Sequence, residues 1–259
     1  MRTLYFDCFS GISGDMTLGA LLDLGLDKEE FLSELKKLNV DGYRIQFSKK
    51  MKNCIEGTDV DVILLENKHC HGEFSDHDSI DLHHHVHIDR NLHNIETIIN
   101  ESDLNEKIKG LSKSMFLKVA QAEAKVHGTI IENVHFHEVG AVDSIVDIVG
   151  TAICISMLKV EKIISSPLHD GTGYIKCRHG IIPVPVPATM EIVTSHSIPF
   201  YTKGIQSELV TPTGAAIIAT LAEEFGVMPK MIVEKVGYGT GKREMEIPGL
   251  LRVFLGSQE

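Results

Sequence analysis

The residues best suited to chemistry are concentrated in one short, otherwise apolar stretch, residues 135–150. His135 and His137 alternate around Phe136, so an extended backbone would point both imidazoles to the same face. Glu138 follows directly and adds a carboxylate to the two ring nitrogens. These three side chains are candidate metal ligands, and His137 and Glu138 are also candidates for proton transfer. The stretch therefore predicts a site for a divalent metal ion or an anionic substrate.

Two more carboxylates follow on a predicted helix. Apolar residues recur at helical spacing over 142–158, where Asp143 and Asp147 lie four residues apart. On a helix these carboxylates are neighbours and repel each other, unless a cation between them turns the repulsion into attraction. The alternative is a solvated helix start, with Asp143 as the N-cap and Asp147 on the exposed face. Because the histidines and the glutamate lie just upstream, we favour the functional interpretation, in which either aspartate accepts a proton or completes the metal site.

Two other segments each combine a short strand, a polar turn and the start of a helix. Backbone N–H groups and the helix dipole at such a turn form a site for an anion such as phosphate. The candidate anion-binding residues are Ser10, Gly11, Ser13, Gly14, Thr211, Thr213 and Gly214. Asp15, in the first turn of the earlier helix, is a candidate general base or metal ligand; the alternative is that it caps the helix. The sequence does not decide which of the two turns binds a phosphate.

Histidine is unusually frequent, with 14 in the chain, and eight of them lie between Asn67 and His93. Residues 67–91 have almost no apolar periodicity, so we predict a disordered loop there. Neutral imidazoles beside carboxylates bind borderline metals such as Ni²⁺, Zn²⁺ or Cu²⁺. The loop is predicted to gather metal without fixing one coordination geometry; the alternative is an incidental solubilising segment. Its candidate ligands are His83, His84, His85 and His87.

A proline-rich segment in the second half of the chain is predicted to be rigid and extended. Its three prolines exclude a helix until Pro187, which is a favourable first helical residue. His179 beside Arg178 lies in this segment and is a candidate ligand contact. The alternative is a plain crossing between two structural elements.

The remaining pattern predicts an α/β fold with a mixed sheet flanked by helices, carrying the disordered His-rich loop as an insertion. A helix is predicted over 214–225, a flexible glycine turn over 237–243, and a last strand over 250–255. No repeat or linker divides the chain, so residues 1–259 are predicted to form a single domain.

Composition excludes several classes of partner. The net charge of −11 argues against a nucleic acid or an anionic membrane, each of which would need a basic face. No apolar run approaches the length of a membrane span. The five cysteines are scattered without a CxxC pair, which favours reduced thiols over a disulfide framework or a zinc site. We therefore expect a cytoplasmic protein.

Several segments together resemble the nickel insertion protein family, also called LarC, of nickel-pincer cofactor synthesis. The matching motifs are Ser10–Met16, His135–Asp147, His179–Thr189, Glu208–Gly214 and Gly237 through the final strand. They cover nearly the whole chain in the family's order, with the His-rich loop in its usual place.

The resemblance implies a nickel chelatase, or cyclometallase, of the lyase class. Such an enzyme inserts Ni²⁺ into pyridinium-3,5-bisthiocarboxylic acid mononucleotide and forms the nickel-pincer cofactor of lactate racemase. CTP, bound with Mg²⁺ or Mn²⁺, is cleaved through a cytidylylated intermediate. Full-length members carry a further C-terminal domain that binds the metal–CTP complex. We expect this chain to be the N-terminal part, paired with a separately encoded C-terminal domain and assembled as a homo-oligomer; its activity alone is left open.

Two other functions are compatible with the residues. A histidine-rich protein for nickel binding and delivery would need the loop and no chemistry of its own. A metallohydrolase would use a cluster of Asp7, Asp15, His135, His137 and Asp147.

Overall fold

The structure is a computed structural model that describes residues 1–65, 90–136, 142–177 and 180–258. It confirms the predicted α/β class, because a mixed seven-stranded sheet is flanked by helices. The predicted His-rich loop lies outside the described residues.

The described residues form thirteen strands and seven α-helices. The strands are β1 (Arg2–Asp7), β2 (Tyr43–Lys52), β3 (Ile55–Leu64), β4 (Arg90–Asn91), β5 (His135–Phe136), β6 (Lys162–Ser165), β7 (Leu168–Asp170), β8 (Gly173–Cys177), β9 (Gly180–Val184), β10 (Phe200–Thr202), β11 (Glu224–Phe225), β12 (Ile232–Thr240) and β13 (Leu250–Ser257). The α-helices are α1 (Gly14–Asp23), α2 (Lys28–Lys36), α3 (Leu92–Glu101), α4 (Glu106–His127), α5 (Val142–Leu158), α6 (Pro187–Ser195) and α7 (Pro212–Leu221).

The main sheet has the strand order β11-β6-β1-β13-β12-β3-β2. Strand β1 pairs in parallel with β6 and antiparallel with β13, with Arg2 opposite Ser257. Residues Leu4 and Phe6 of β1 are fully buried, as expected for a strand in the middle of a sheet. Smaller two-stranded ribbons join β7 to β10, β8 to β9, and β4 to β5.

Helix ends follow the local sequence. Asp27 caps α2 by accepting hydrogen bonds from the N–H groups of Glu29 and Glu30. Asn105 caps α4 through the N–H of Ile108, and Gly128 ends that helix in the left-handed conformation that favours glycine.

Helix α1 packs unusually close to the sheet. A Cβ atom on Gly239 of β12 would lie 1.8 Å from the carbonyl oxygen of Met16, and one on Gly237 would lie 2.2 Å from that of Ala20. On the helix side, a Cβ on Gly19 would lie 2.4 Å from the carbonyl oxygen of Thr58 in β3. Only glycine allows backbones to approach so closely. The predicted flexible turn over 237–243 is therefore wrong at its start, because both glycines lie in β12.

A carboxylate fixes the C-terminal end of α1 to the sheet. Asp23 accepts hydrogen bonds from the Thr58 hydroxyl at 2.6 Å and from the N–H of Tyr238 at 2.9 Å, and it pairs with Lys49. Partial burial opposes the charged form, but these donors lower the pKa of Asp23 below its ordinary value. The opposite face of α1 packs against α5, where Gly150 lies against Leu18.

Helices α5, α6 and α7 begin at or near their predicted starts. The helix predicted over 214–225 ends at Leu221, because the chain turns there and Phe225 pairs with β6 as part of β11. The segment predicted to be rigid and extended contains the extended strand β9, which pairs with β8 in a hairpin, and the helix start at Pro187 is confirmed. Asp143 lies inside the first turn of α5, after its start at Val142.

The glycine contact between α1 and β12 gives a stability prediction. Gly239→Ala should lower the free energy of unfolding by about 3 kcal/mol, because the helix and the sheet must separate to admit the methyl group. Urea denaturation measures this change.

Gly110→Ala is the matched control, since a Cβ atom there meets nothing within 4 Å and the position lies inside α4. That substitution should stabilise the protein by about 0.5 to 1 kcal/mol. Equal effects of the two substitutions would contradict the proposed role of Gly239.

Candidate functional site

The two predicted anion-binding turns lie side by side. The N–H of Ile12 donates to the carbonyl oxygen of Leu209 at 2.9 Å, and the N–H of Thr211 donates to that of Ile12 at 3.1 Å. A Cβ atom on Gly11 would lie 2.1 Å from Leu209, and one on Gly214 would lie 2.2 Å from Ile12. Close contact between the turns therefore explains both glycines without a ligand.

A cavity of about 230 Å³ opens between these turns and the segment after β12. We call it the site cavity, and its lining residues are Ser10, Ser13, Asp15, Met16, Glu208, Leu209, Thr211, Gly241, Lys242, Arg243 and Met245. The Ser10 side chain is 1% exposed, and its hydroxyl has no hydrogen-bond partner among the described residues. An unpaired buried hydroxyl at a cavity is available to a ligand.

Asp15 contributes the carboxylate of the site cavity. It lies in the first turn of α1, where it accepts hydrogen bonds from the Ser13 hydroxyl and from the N–H of Met16. Ser13 is the N-cap of α1, but its hydroxyl makes no capping hydrogen bond. Burial raises the pKa of Asp15, although these two donors and the Lys242 ammonium act in the opposite direction. A carboxyl group with a raised pKa can exchange a proton closer to neutral pH.

Asp147 is half-buried in α5 and close enough to Asp15 for their charges to interact. A Cβ atom on Gly14 would lie 2.6 Å from Oδ2 of Asp147, so the backbone of α1 contacts this side chain. Burial, followed by the charges of Asp15 and Asp143, raises the pKa of Asp147 well above its ordinary value. Asp143 itself is exposed. The structure therefore brings two of the predicted catalytic residues, Asp15 and Asp147, close enough for their charges to interact. The charge of the exposed Asp143 also acts on Asp147.

Two cations lie on the opposite side of the site cavity, and both have acidic partners. The Lys242 ammonium donates to Oδ1 of Asp59 at 2.9 Å and also binds Asp61. The Arg243 guanidinium binds Oε2 of Glu208 at 2.9 Å. Burial opposes the charged form of Lys242, but the two aspartates raise its pKa. These pairs orient the cations and leave part of their charge facing the cavity.

The wall at Leu209 is held from behind by a buried carboxylate. Asp170, at the end of β7, accepts hydrogen bonds from the N–H groups of Leu209 at 2.7 Å and Val210 at 3.1 Å, and from that of Gly171. Burial raises the pKa of Asp170, against the effect of these three donors. The arrangement ties β7 to the turn that carries Glu208 and Thr211.

The remaining predicted site residues fall into two groups. Thr213 is buried in α7, away from the site cavity, and Gly14 lies against Asp147. The backbone of His135 is extended in β5, as predicted. Other predicted site residues lie outside the described part of the chain, and their roles stay predictions: His83, His84, His85, His87, His137, Glu138 and His179.

Sequence reasoning did not propose Lys242, Arg243 or Glu208 as site residues. The basic pair directly follows a glycine-spaced strand, and that adjacency was the available signal. Nothing local in the sequence indicates that Asp59 and Asp61 orient Lys242, because they come from a strand about 180 residues earlier.

The described residues contain neither a cluster of metal ligands nor a helix that could span a membrane. No group of three or more His, Cys, Asp or Glu side chains is close enough there to hold a metal ion. Asp7, a member of the alternative hydrolase cluster, instead pairs with Arg252 at 2.6 Å. Within the same ranges, no helix has the length and apolar character needed to cross a bilayer.

The chain is an α/β protein whose site cavity can bind a proton or a cation through carboxylates. It can also bind an anion through hydroxyl groups and positively charged side chains. The profile of the family described as "Nickel insertion protein" matches residues 4–259. The chain therefore belongs to the nickel insertion protein family.

Relatives with this description are similar over nearly the whole chain. A "Pyridinium-3,5-bisthiocarboxylic acid mononucleotide nickel insertion protein" of Acetivibrio thermocellus is 55% identical over 257 residues, which are 99% of this chain and 61% of the relative. Proteins of the same description from Clostridium kluyveri and Lactiplantibacillus plantarum are 53% and 48% identical, over 100% and 98% of this chain and 63% and 61% of their own lengths. The chain thus spans about three fifths of these relatives. No solved structure matches the chain significantly.

The raised pKa of Asp147 predicts a cost in stability. A carboxyl group with a raised folded-state pKa is protonated in both states at low pH, and it destabilises the fold once the unfolded state ionises. Asp147→Asn should therefore raise the free energy of unfolding at pH 7 by roughly 0.5 to 2 kcal/mol, the usual scale of a stabilising substitution. The gain should vanish below about pH 4.

The exposed neighbour Asp143 provides the control, and Asp143→Asn should change stability little at either pH. Urea denaturation at the two pH values measures both variants. A destabilised Asp147→Asn protein at pH 7 would show that Asp147 is held as a stabilising anion.

Asp59 gives a prediction of opposite sign. Although burial opposes ionisation, hydrogen bonds from Lys50 and Lys242 lower the pKa of Asp59 to about 2. Its charged form therefore stabilises the fold above about pH 4, and this contribution is lost as the pH falls towards 2. Asp59→Asn should lower the free energy of unfolding by roughly 1 to 2 kcal/mol at pH 7, and the difference from the parent should shrink between pH 4 and pH 2. A difference that does not depend on pH would contradict this assignment.

Proposed function

We propose that this chain inserts Ni²⁺ into pyridinium-3,5-bisthiocarboxylic acid mononucleotide and so forms the nickel-pincer cofactor of lactate racemase. Family membership and the printed descriptions of relatives support the reaction. The observation that carries the proposal is the site cavity, in which residues 10–16, 208–211 and 241–245 meet around the carboxylate of Asp15.

The charge distribution of the site cavity matches the two ends of this substrate. The substrate phosphate would bind at the basic side, near Lys242 and Arg243, with the hydroxyls of Ser10 and Thr211 as further donors. The pyridinium ring would then extend towards Asp15. Because each cation is already paired with an acid, the cavity has little excess positive charge for a substrate with several anionic groups. Ni²⁺ supplies this missing charge when it enters with the substrate.

The proposed reaction needs a base more than it needs a redox group. A bond forms between nickel and a ring carbon, the bond between that carbon and its hydrogen breaks, and the metal stays divalent. The departing proton goes to a carboxylate, for which Asp15 is the candidate that lines the cavity. Burial raises the pKa of Asp15 and brings it closer to the operating pH, as an efficient base requires. Asp147, which lies against Gly14, changes the pKa of Asp15 according to whether Asp147 itself is charged or protonated.

CTP would act with a partner of this chain. In the proposal, CTP with Mg²⁺ or Mn²⁺ is bound by a C-terminal domain and activates the mononucleotide by transfer of a cytidylyl group. The chain itself binds the mononucleotide and nickel, and it works as a homo-oligomer. The His-rich segment between β3 and β4 gathers nickel for the site.

Substitution of the base tests the proposal. Asp15→Asn should reduce nickel insertion by about 100-fold, because an amide cannot accept the ring proton. The assay supplies the chain with the mononucleotide, NiCl₂, CTP and MgCl₂, with and without the C-terminal portion of the Acetivibrio relative. Mass spectrometry of the nickel-containing product follows the reaction.

Asp143→Asn, which alters an exposed carboxylate of the same cluster, should retain insertion within about threefold. Normal insertion by folded Asp15→Asn protein would refute the assignment of the base. The delivery function is favoured instead if the parent chain binds nickel and produces no nickel-containing nucleotide under any of these conditions.

A further inference from the structure

We infer that an apolar surface beside the two chain ends is the docking surface for the polypeptide that makes up the remaining two fifths of the relatives. We call it the end surface, and its members are Met1, Val227, Met228, Ile232, Val233 and Val236. The inference rests on the proposed function for the identity of the partner, since a further domain is proposed there to act with this chain.

The two ends of the described chain lie side by side. Strands β1 and β13 are antiparallel neighbours, with Arg2 opposite Ser257. The ammonium group of Met1 donates to the carbonyl oxygen of Gln258 at 2.9 Å, and the N–H of Gln258 donates to that of Met1 at 3.0 Å. A polypeptide attached at either end therefore leaves the fold from the same edge of the sheet.

The relatives carry such an additional polypeptide. The 257 residues that align with the Acetivibrio protein are 99% of this chain and 61% of the relative. Because this alignment leaves no room for a long insertion, the additional portion begins next to the position of Met1 or to that of Gln258. Its first residues therefore lie at the end surface in either case.

Large apolar residues are exposed at this edge of the sheet. Ile232 lies opposite Ser257 in the neighbouring strand and is 68% exposed. Val227 is 90% exposed and Met1 is 50% exposed. Apolar residues scattered singly over a surface are ordinary, whereas a group of them in one place is typical of a surface that binds another polypeptide.

The segment over residues 226–231 extends the end surface across the sheet. It joins β11 to β12, and the strand order places β6, β1 and β13 between these two strands. The Tyr5 hydroxyl of β1 donates to the carbonyl oxygen of Gly226 at 3.0 Å. A Cβ atom on Gly256 of β13 would lie 2.7 Å from Cε of Met231. These contacts hold the segment against the sheet, so it presents its apolar side chains from a fixed backbone, which lowers the entropy cost of binding.

A strand edge adjoins the exposed side chains. In the described part of the chain, β12 pairs with β13 along its length but with β3 only at Gly239. Residues 232–236 therefore have backbone groups on one side that a strand of another polypeptide could pair with. Val236 precedes Gly237, which contacts α1, so its side chain points to the opposite face of the sheet.

A second copy of the chain is the alternative occupant. A stable dimer typically buries about 800 Å² on each partner, which is much for six partly exposed residues. A polypeptide joined to a chain end is held near the end surface at roughly millimolar effective concentration, so a small apolar surface is enough to dock it. The additional portion of the relatives is therefore the occupant that this surface fits.

The end surface lies far from the site cavity. Strand β1 runs from the end surface towards Ser10, and β12 runs from Ile232 towards Lys242. Eight residues of strand span roughly 25 Å. Docking therefore leaves the site cavity open to substrate, and substitutions on the end surface do not touch the residues that line it.

Thiol labelling tests the inference. Val227→Cys and Ile232→Cys are made in the full chain and in a fusion of the chain with the additional portion of the Acetivibrio relative, joined at the end where the relative carries it. Ile181→Cys is the matched control, because Ile181 is 74% exposed and lies in β9, outside the end surface. Peptide mass spectrometry follows modification by a maleimide and separates these thiols from the native cysteines.

We expect labelling at positions 227 and 232 to be at least tenfold slower in the fusion than in the chain, and labelling at position 181 to agree within twofold. Equal rates at 227 and 232 overturn the inference. Labelling of the chain alone that slows as its concentration rises also overturns it, because that result identifies a second copy as the occupant.

A second measurement decides if the fusion does not fold. Hydroxyl-radical footprinting of the native Acetivibrio relative compares the segment aligned with residues 226–236 with the segment aligned with residues 180–184. Protection of the first segment alone supports the inference, and equal reactivity of the two overturns it.

The outcome is separable from that of the insertion assay. A protected end surface in a fusion that never metallates the mononucleotide retires the proposed function alone. Metallation by a fusion whose end surface reacts as fast as that of the chain retires this inference alone.

Discussion

The close packing of helix α1 on the sheet is the constraint on which the rest of the structure depends. Gly19, Gly237 and Gly239 remove the side chains that would otherwise separate the helix from β3 and β12. With the helix this close, Asp23 reaches Thr58 and Tyr238 at one end, and Asp15 enters the site cavity beside Lys242 at the other. A shift of the helix away from the sheet would move the carboxylate and one wall of the cavity together, so the contact that stabilises the core also positions the chemistry.

Electrostatics divides the acidic residues around this helix into two kinds. Asp23 and Asp59 have donors on several sides, and their pKa values are lowered, so their charge stabilises the fold. Asp15 and Asp147 are partly buried with interacting charges, and their pKa values are raised, so their charge is a cost that folding must offset. Stability alone would not retain such a pair, and a function that needs a proton acceptor or a cation partner accounts for it.

The sequence predicted the fold class, the helix starts at Val142 and Pro187, and two of the three segments that line the site cavity, because strand patterns, caps and proline act locally. It also placed Asp15 and Asp147 among the catalytic candidates. It could not predict that two separate turns become walls of one cavity, since the Ile12–Leu209 contact joins residues about 200 positions apart. Gly237 and Gly239 were misread as a flexible turn, because a glycine that permits close packing and a glycine that permits a bend are identical in sequence.

A crystal structure of the chain with pyridinium-3,5-bisthiocarboxylic acid mononucleotide tests the central claim most directly. The account predicts the nucleotide in the site cavity, with its phosphate beside Lys242 and Arg243 and the hydrogen-bearing ring carbon between its two thiocarboxylates facing the carboxyl group of Asp15. A nucleotide bound outside this cavity, or bound with its phosphate against Asp15 and its ring away from that carboxyl group, would contradict it.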